Sequence, residues 1–233
     1  DVFMGPIFKR DEVSNSNYGV RFFASNEIIS YDPDESFITS AQAIKLGLLV
    51  KKGMILITGY GTIGSVRIVD EIIQGFAVAD NVTRIVPFTN IGYIACFLSS
   101  KYGHQLLNDY ASGSAVQFIQ AQSIAKIPIP VLPETITKEI NDLFLKAVKC
   151  REKSYLKLDK AKKLVYQFNN LPLFSESEIE TIDPKKEVEI RKVNISEFTS
   201  DYRLDAHFYN PMADLVFKRI RENAYCYKAL HEL

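Results

Sequence analysis

A chain of 233 residues, 47% of them hydrophobic, can bury one good core or two modest ones and reads as a folded, soluble protein. Its 28 Lys and Arg offset 28 Asp and Glu, which excludes a uniformly basic surface for anionic partners but not a local basic face. No apolar run approaches the roughly 18 to 20 residues that cross a bilayer, because Lys51, Lys52 and nearby glycines interrupt the longest candidate, so no membrane partner is expected.

Cys96, Cys150 and Cys226 are far apart and show neither C-x-x-C nor metal-type spacing with His104, His207 or His231. They read as ordinary thiols of a reducing cytoplasm, and no metal site is expected. The chain opens at Asp1 with no initiator Met, charged n-region or apolar h-region, so it is expected to be a fragment of something longer.

Along residues 1–133, short β-rich runs alternate with turn residues, at 3–8, 20–23, 55–58, 66–69, 76–78, 82–86 and 127–131. Helices are expected at 40–48 and 92–109. The mixture predicts an α+β domain whose sheet is mainly antiparallel. Within it, Gly59, Gly61 and Gly64 spell G-x-G-x-x-G directly after the run 54–58. As a dinucleotide fingerprint that string requires a helix opening at its last glycine, so that freed N–H groups meet a pyrophosphate. The residues that follow, Ser65-Val66-Arg67-Ile68-Val69-Asp70, instead alternate as a second strand, which makes the glycines a tight strand-to-strand connection. Asp80, near the spacing of a ribose-binding acid, keeps an oxidoreductase reading as an alternative.

After Pro133 the texture changes. Residues 134–169 contain no Gly or Pro and repeat apolar side chains near helical spacing, including Ile136, Ile140, Phe144, Ala147, Leu158, Val165 and Phe168. One helix of roughly nine turns is predicted over 134–170. Such a stripe wants a partner helix, the alternative being a helix laid on its own domain's sheet. Its flank is lysine-rich over 138–163, whereas 176–197 is acidic. Residues 171–200 read as a polar linker.

The tools of an enzyme are missing: the sequence holds no G-x-x-x-x-G-K-[ST], H-E-x-x-H, G-x-S-x-G or [DN]-P-P-[YF] box. A DNA-reading surface needs Lys and Arg for phosphates, and Arg, Asn, Gln, Ser or Thr on short loops for base edges. Residues of those types fall in such places: Lys9 and Arg10 before a loop with Asn15 and Asn17; Thr58, Tyr60, Thr62 and Arg67 around the glycines; Arg84 in a strand; Lys101 on a helix; and Ser114, Gln117 and Gln120 in a polar loop.

The run from Lys51 to Val66, K-x-G-x-I-L-I-x-x-x-G-T-I-G-x-V, resembles the target recognition domain of type I restriction–modification specificity subunits. Gly5-Pro6-Ile7-Phe8-Lys9-Arg10, Ala79-Asp80-Asn81-Val82-Thr83-Arg84-Ile85, residues 92–103 and residues 119–133 look like the same family, in order. So does Tyr202-Arg203-Leu204-Asp205-Ala206-His207-Phe208-Tyr209-Asn210-Pro211, similar to the R-L-D-A-x-x-Y-x-P signature that opens a recognition domain. The resemblance implies a recognition domain at 1–133, a coiled-coil-type spacer helix at 134–170, a linker, and the start of a second repeat at 201–233. It implies a non-catalytic subunit that carries no cofactor and reads half of a split site in double-stranded DNA. The expected partners are methyltransferase (modification) subunits, which supply methylation, and a restriction subunit. Helix residues such as Ile140, Phe144, Ala147, Leu158, Val165 and Phe168 would pair with a partner helix, self-association included. The alternative within the same kind is the recognition domain of a single-chain methyltransferase–endonuclease.

Overall fold

The computed structural model describes residues 1–14, 17–30, 36–114, 116–168, 174, 211–224 and 228. The chain divides into two compact units, 1–155 and 156–233. The first unit holds two four-stranded sheets. One is wholly antiparallel, with β1 (Val2–Phe3), β8 (Val82–Ile85), β5 (Ile55–Thr58) and β6 (Val66–Ile68) in that order. The other orders β2 (Glu12–Val13), β4 (Phe37–Thr39), β3 (Gly19–Phe23) and β7 (Ala77–Val78), with only the β3–β7 pair parallel.

Every residue of β5 and β8 is buried, because both faces of the antiparallel sheet are covered. The period of two then sends successive side chains to opposite cores. Leu56 and Val82 join Phe22, Phe23, Ile38 and Leu48 in a core shared with the second sheet. Ile55, Ile57 and Ile85 join Ala95, Leu98, Leu107, Ile119 and Ile124 in a core covered by helices. Register aligns Phe3, Arg84, Leu56 and Arg67 in one row across the four strands, on the face of the first core.

The strand predicted at 3–8 stops at Phe3, ahead of Pro6, which has no N–H to give a ladder. The one predicted at 127–131 does not form, for the same reason at Pro128 and Pro130. The expected helix at 92–109 is two, α2 (Ile91–Ser99) and α3 (Lys101–Asp109), after the short α1 (Ser40–Lys45). Ser100 breaks them apart: its backbone is extended, and its hydroxyl accepts from Gly103 N–H at 3.2 Å as the cap of α3. A side chain at Gly103 would start 2.1 Å from the Phe97 carbonyl oxygen, so only glycine allows the corner. A single turn, α4 (Ala121–Ile124), follows.

Helix α5 (Glu134–Phe168) runs 35 residues without a break, as its composition predicts. Its early turns pack within the first unit, since Phe144, Leu145 and Val148 lie on the helix-covered core. Asn141 Oδ1 accepts from Gly92 N–H at 2.8 Å, and the Glu152 carboxylate accepts from Glu71 N–H at 3.0 Å. In the second unit, α6 (Pro211–Asn223) carries Arg219 with its guanidinium 4.3 Å from the Phe174 ring centroid. The predicted linker, apart from Phe174, and the signature at 202–210 lie outside the described residues.

Gly92→Ala is expected to destabilise the first unit by about 1–3 kcal/mol, since the new Cβ would meet the Asn141 carbonyl oxygen at 2.4 Å and lever α5 away. The urea midpoint measures it; an unchanged midpoint would show that the helix is not seated on Gly92.

Candidate nucleic-acid interface

The glycine run joins β5 to β6 as an antiparallel connection, and the strand Val66–Ile68 stands where a phosphate-binding helix would have to open. That removes the structural requirement of the dinucleotide reading. Thr58 latches the turn: its hydroxyl donates to Thr62 O and accepts from Ser65 N–H at 3.0 Å, and its carbonyl accepts from Gly64 N–H at 3.1 Å. Gly64 (φ +88°) fits under α3, where a Cβ would lie 2.7 Å from His104 Nδ1. Gly61 (φ +69°) stands at the tip in open space. Tyr60, Gly61 and Thr62 are therefore held rigidly from below and exposed above.

The polar loop 112–118 is brought to this turn. Ser112 and Phe118 exchange N–H···O bonds at 2.8 Å each, Ile119 N–H donates to Gly59 O at 2.9 Å, and Gly59 N–H donates to Asn81 O at 3.0 Å. The Tyr60 and Phe118 rings stack 5.5 Å apart with their planes 18° from parallel. Thr62, Ser114, Gln117 and Gln120 are all exposed around this junction. Lys101, also exposed, opens α3 one turn before His104, on the side of the helix that meets the glycine turn. The structure thus brings Tyr60, Thr62, Ser114, Gln117 and Gln120 together from two separate stretches, with Lys101 on the adjoining helix α3.

Lys9, Arg10 and Asn17 are exposed in a second cluster, beside the other sheet. Gln42 of α1 organises it, donating to Lys9 O at 2.8 Å and accepting from Asp11 N–H at 3.0 Å. Arg10 lies 4.5 Å over the Phe22 ring, and Tyr18 is exposed next to Asn17. Asn15 lies outside the described residues. Gln42 and Phe118 carry no loop signature in the sequence; their positions come only from tertiary pairing.

Three predicted contacts are corrected by burial. Thr58 is 3% exposed and its hydroxyl is used within the turn. Arg84 is 0% exposed, donates to Val78 O at 3.1 Å and lies 5.9 Å over the Phe3 ring beneath Gly5. Burial pushes its pKa down to about 10, with the Asp80 carboxylate acting in the opposite direction. Arg67 donates to Ile28 O at 2.7 Å and to Asp70 at 3.5 Å; burial lowers its pKa and Asp70 opposes the shift. Asp70 in turn accepts from Ile72 and Ile73 N–H at 3.1 Å each. Both guanidiniums are structural cations of the first core.

On the helix, Phe144 is packed within its own unit, Ile140 is half-buried and Ala147 is exposed. Leu158, Val165 and Phe168 are 53%, 55% and 81% exposed, a large apolar surface for late turns of one helix. No helix of the described residues is long and apolar enough to cross a membrane. Among those residues no group of three or more His, Cys, Asp or Glu comes together as a metal site.

The arrangement of two antiparallel-rich sheets followed by one long helix matches the fold of a solved S subunit. The chain is similar to the type I restriction–modification S subunit from M. genitalium, with a TM-score of 0.51 and 15% identity over 78% of this chain and 45% of that one. It also matches the HsdS subunit from Thermoanaerobacter tengcongensis (TM-score 0.46, 16% identity, 77% and 39% covered). A third match comes from work on complex assembly and conformational transition of the type I R-M system (0.47, 15%, 72% and 42%). The chain spans less than half the length of each. No protein-family model and no curated protein matches the sequence.

Arg67→Ala should lower the unfolding free energy by about 3 kcal/mol, because it leaves Asp70 and the Ile28 carbonyl buried with fewer partners. Arg10→Ala, on the surface, should cost less than about 1 kcal/mol. Equal urea midpoints for the two variants would contradict the assignment of Arg67 to the core.

Proposed function

We propose that this chain is a sequence-specific, non-catalytic DNA-recognition part of a type I restriction–modification specificity subunit. One observation carries the reading: the glycine turn and the 112–118 loop are bonded into a single exposed ledge of hydroxyl, amide and phenol groups on a rigid sheet. Such groups hydrogen-bond base edges, and a rigid base under them limits the ordering cost of binding. Lys101 on one side, and Lys9 and Arg10 in the second cluster, supply charge for phosphates, which positions the ledge without reading sequence.

Within this reading the chain reads one half of a bipartite site and carries no cofactor of its own. The exposed apolar side chains Leu158, Val165 and Phe168 pair with a helix of a modification subunit, a restriction subunit or a second copy of the chain. The resemblance of the sequence to the recognition domains, together with the fold, supports the DNA-reading role. The exposed late turns of α5 support the assembly role.

Selection from a random duplex pool with the full chain should return an enriched site. Thr62→Ala and Gln117→Ala should each relax one base position by about 1–3 kcal/mol. Lys101→Ala should weaken binding to all duplexes alike and reduce the slope of log K against log salt by about 0.9. A pool with no enrichment at low salt would sink the proposal.

A further inference from the structure

Two loops remote in sequence can read neighbouring base pairs only if their relative position is held to within about half an ångström. Phe118 stands where the two loops of the proposed ledge meet. Its backbone closes the 112–118 loop through both bonds to Ser112, and its ring stacks on Tyr60 of the glycine turn. The next residue, Ile119, is 1% exposed in the helix-covered core and ties the same strand of chain to Gly59. The loop itself is shaped for this closure. Gly113 has φ +103°, and a Cβ there would lie 2.3 Å from the Val116 carbonyl oxygen. The exposed polar groups Thr62, Ser114, Gln117 and Gln120 all sit on the segments that the Tyr60–Phe118 stack joins.

We infer that Phe118 is a positioning residue for base recognition: through its stack on Tyr60 it locks the 112–118 loop to the glycine turn, so that both face the base edges of duplex DNA as one unit. This rests on the DNA-reading function proposed above. Tyr60, 41% exposed, stacks on Phe118 and leaves the rest of its phenol to the ligand. A loop that merely carried phosphate-binding groups would need no such lock, because phosphate contacts tolerate displacement that hydrogen bonds to base edges do not.

The test uses the full chain and the duplex enriched by it, with single-base variants of that duplex and a random duplex as comparisons. Phe118→Leu keeps the backbone bonds and an apolar side chain but removes the stack, while Phe118→Tyr keeps the stack. In Phe118→Leu, discrimination between the enriched site and its variants should fall about two- to twelvefold, the range expected for loss of an aromatic pair. Affinity for the random duplex should stay within about twofold, since phosphate contacts are retained. The amides of residues 112 and 118 should exchange hydrogen faster in Phe118→Leu, and Phe118→Tyr should restore the wild-type behaviour in both measurements. Unchanged discrimination in Phe118→Leu, with the wild type still sequence-specific, overturns this inference while leaving the DNA-reading function standing. A wild-type chain without any preferred duplex overturns both. Should Phe118→Leu fail to fold, Tyr60→Leu removes the stack from the exposed side, and unchanged exchange at Ser112 and Phe118 in that variant overturns the inference equally.

Discussion

Strand β5 lies between two hydrophobic cores, and the alternation of its side chains holds the domain together. Leu56 enters one core, while Ile55 and Ile57 enter the other. A slip of one residue would exchange the two sets and drive each into the wrong environment, so the register with β6 and β8 is strongly determined. That register then dictates the fate of residues on the flanking strands. Arg84 and Arg67, each opposite Leu56, are carried into the first core, where carbonyl oxygens, Asp70 and the Phe3 and Phe23 rings receive their guanidiniums. Burying two such cations costs desolvation, which lowers both pKa values; Arg67 is offset in part by Asp70 and carbonyl oxygens, while Arg84 has the Val78 carbonyl and the Phe3 ring, its Nε and Nη1 lacking a partner among the described residues.

The same constraint makes the glycine turn useful. Because β5 and β6 are anchored on both faces, the connection between them has a fixed base, and Thr58 ties its two ends. The turn cannot relax inward, since Gly64 is already under α3 and Gly59 lies between Asn81 and the strand of chain at Ile119. What remains free is the tip. Its exposed side chains acquire a neighbour, the 112–118 loop, through backbone bonds rather than through side-chain chemistry, and the Tyr60–Phe118 stack adds to them. Rigid scaffold beneath and polar variety above is the usual division of labour in a binding surface.

Helix α5 divides by what lies against it. Up to Glu152, it offers Phe144, Leu145 and Val148 to the helix-covered core and takes hydrogen bonds from Gly92, at Asn141, and from Glu71, at Glu152. From Leu156 onward, the side chains of Leu158, Val165 and Phe168 are more than half exposed. A helix laid on its own domain thus describes the early turns, and pairing with a partner helix is the role proposed for the exposed later ones. The lack of Gly and Pro carries the helix from one environment into the other without a break.

By itself the sequence determined the elements whose evidence is local. The β-branched alternation after Gly64 excluded a helix there, and residues 134–168 had no residue able to stop one. The short strands Glu12–Val13 and Phe37–Thr39 escaped notice because two or three residues cannot display a period of two. Among the candidate contacts, residue type and loop position picked out Tyr60, Thr62, Ser114, Gln117 and Gln120, all of which are exposed. They misplaced Thr58, Arg67 and Arg84, because a strand shows one polar residue on either face equally well and only the cover on each side of the sheet decides which face is wet. The joining of the glycine turn to the 112–118 loop was decided by tertiary structure alone: it depends on backbone bonds between residues far apart in the chain, and no local pattern encodes such a pairing.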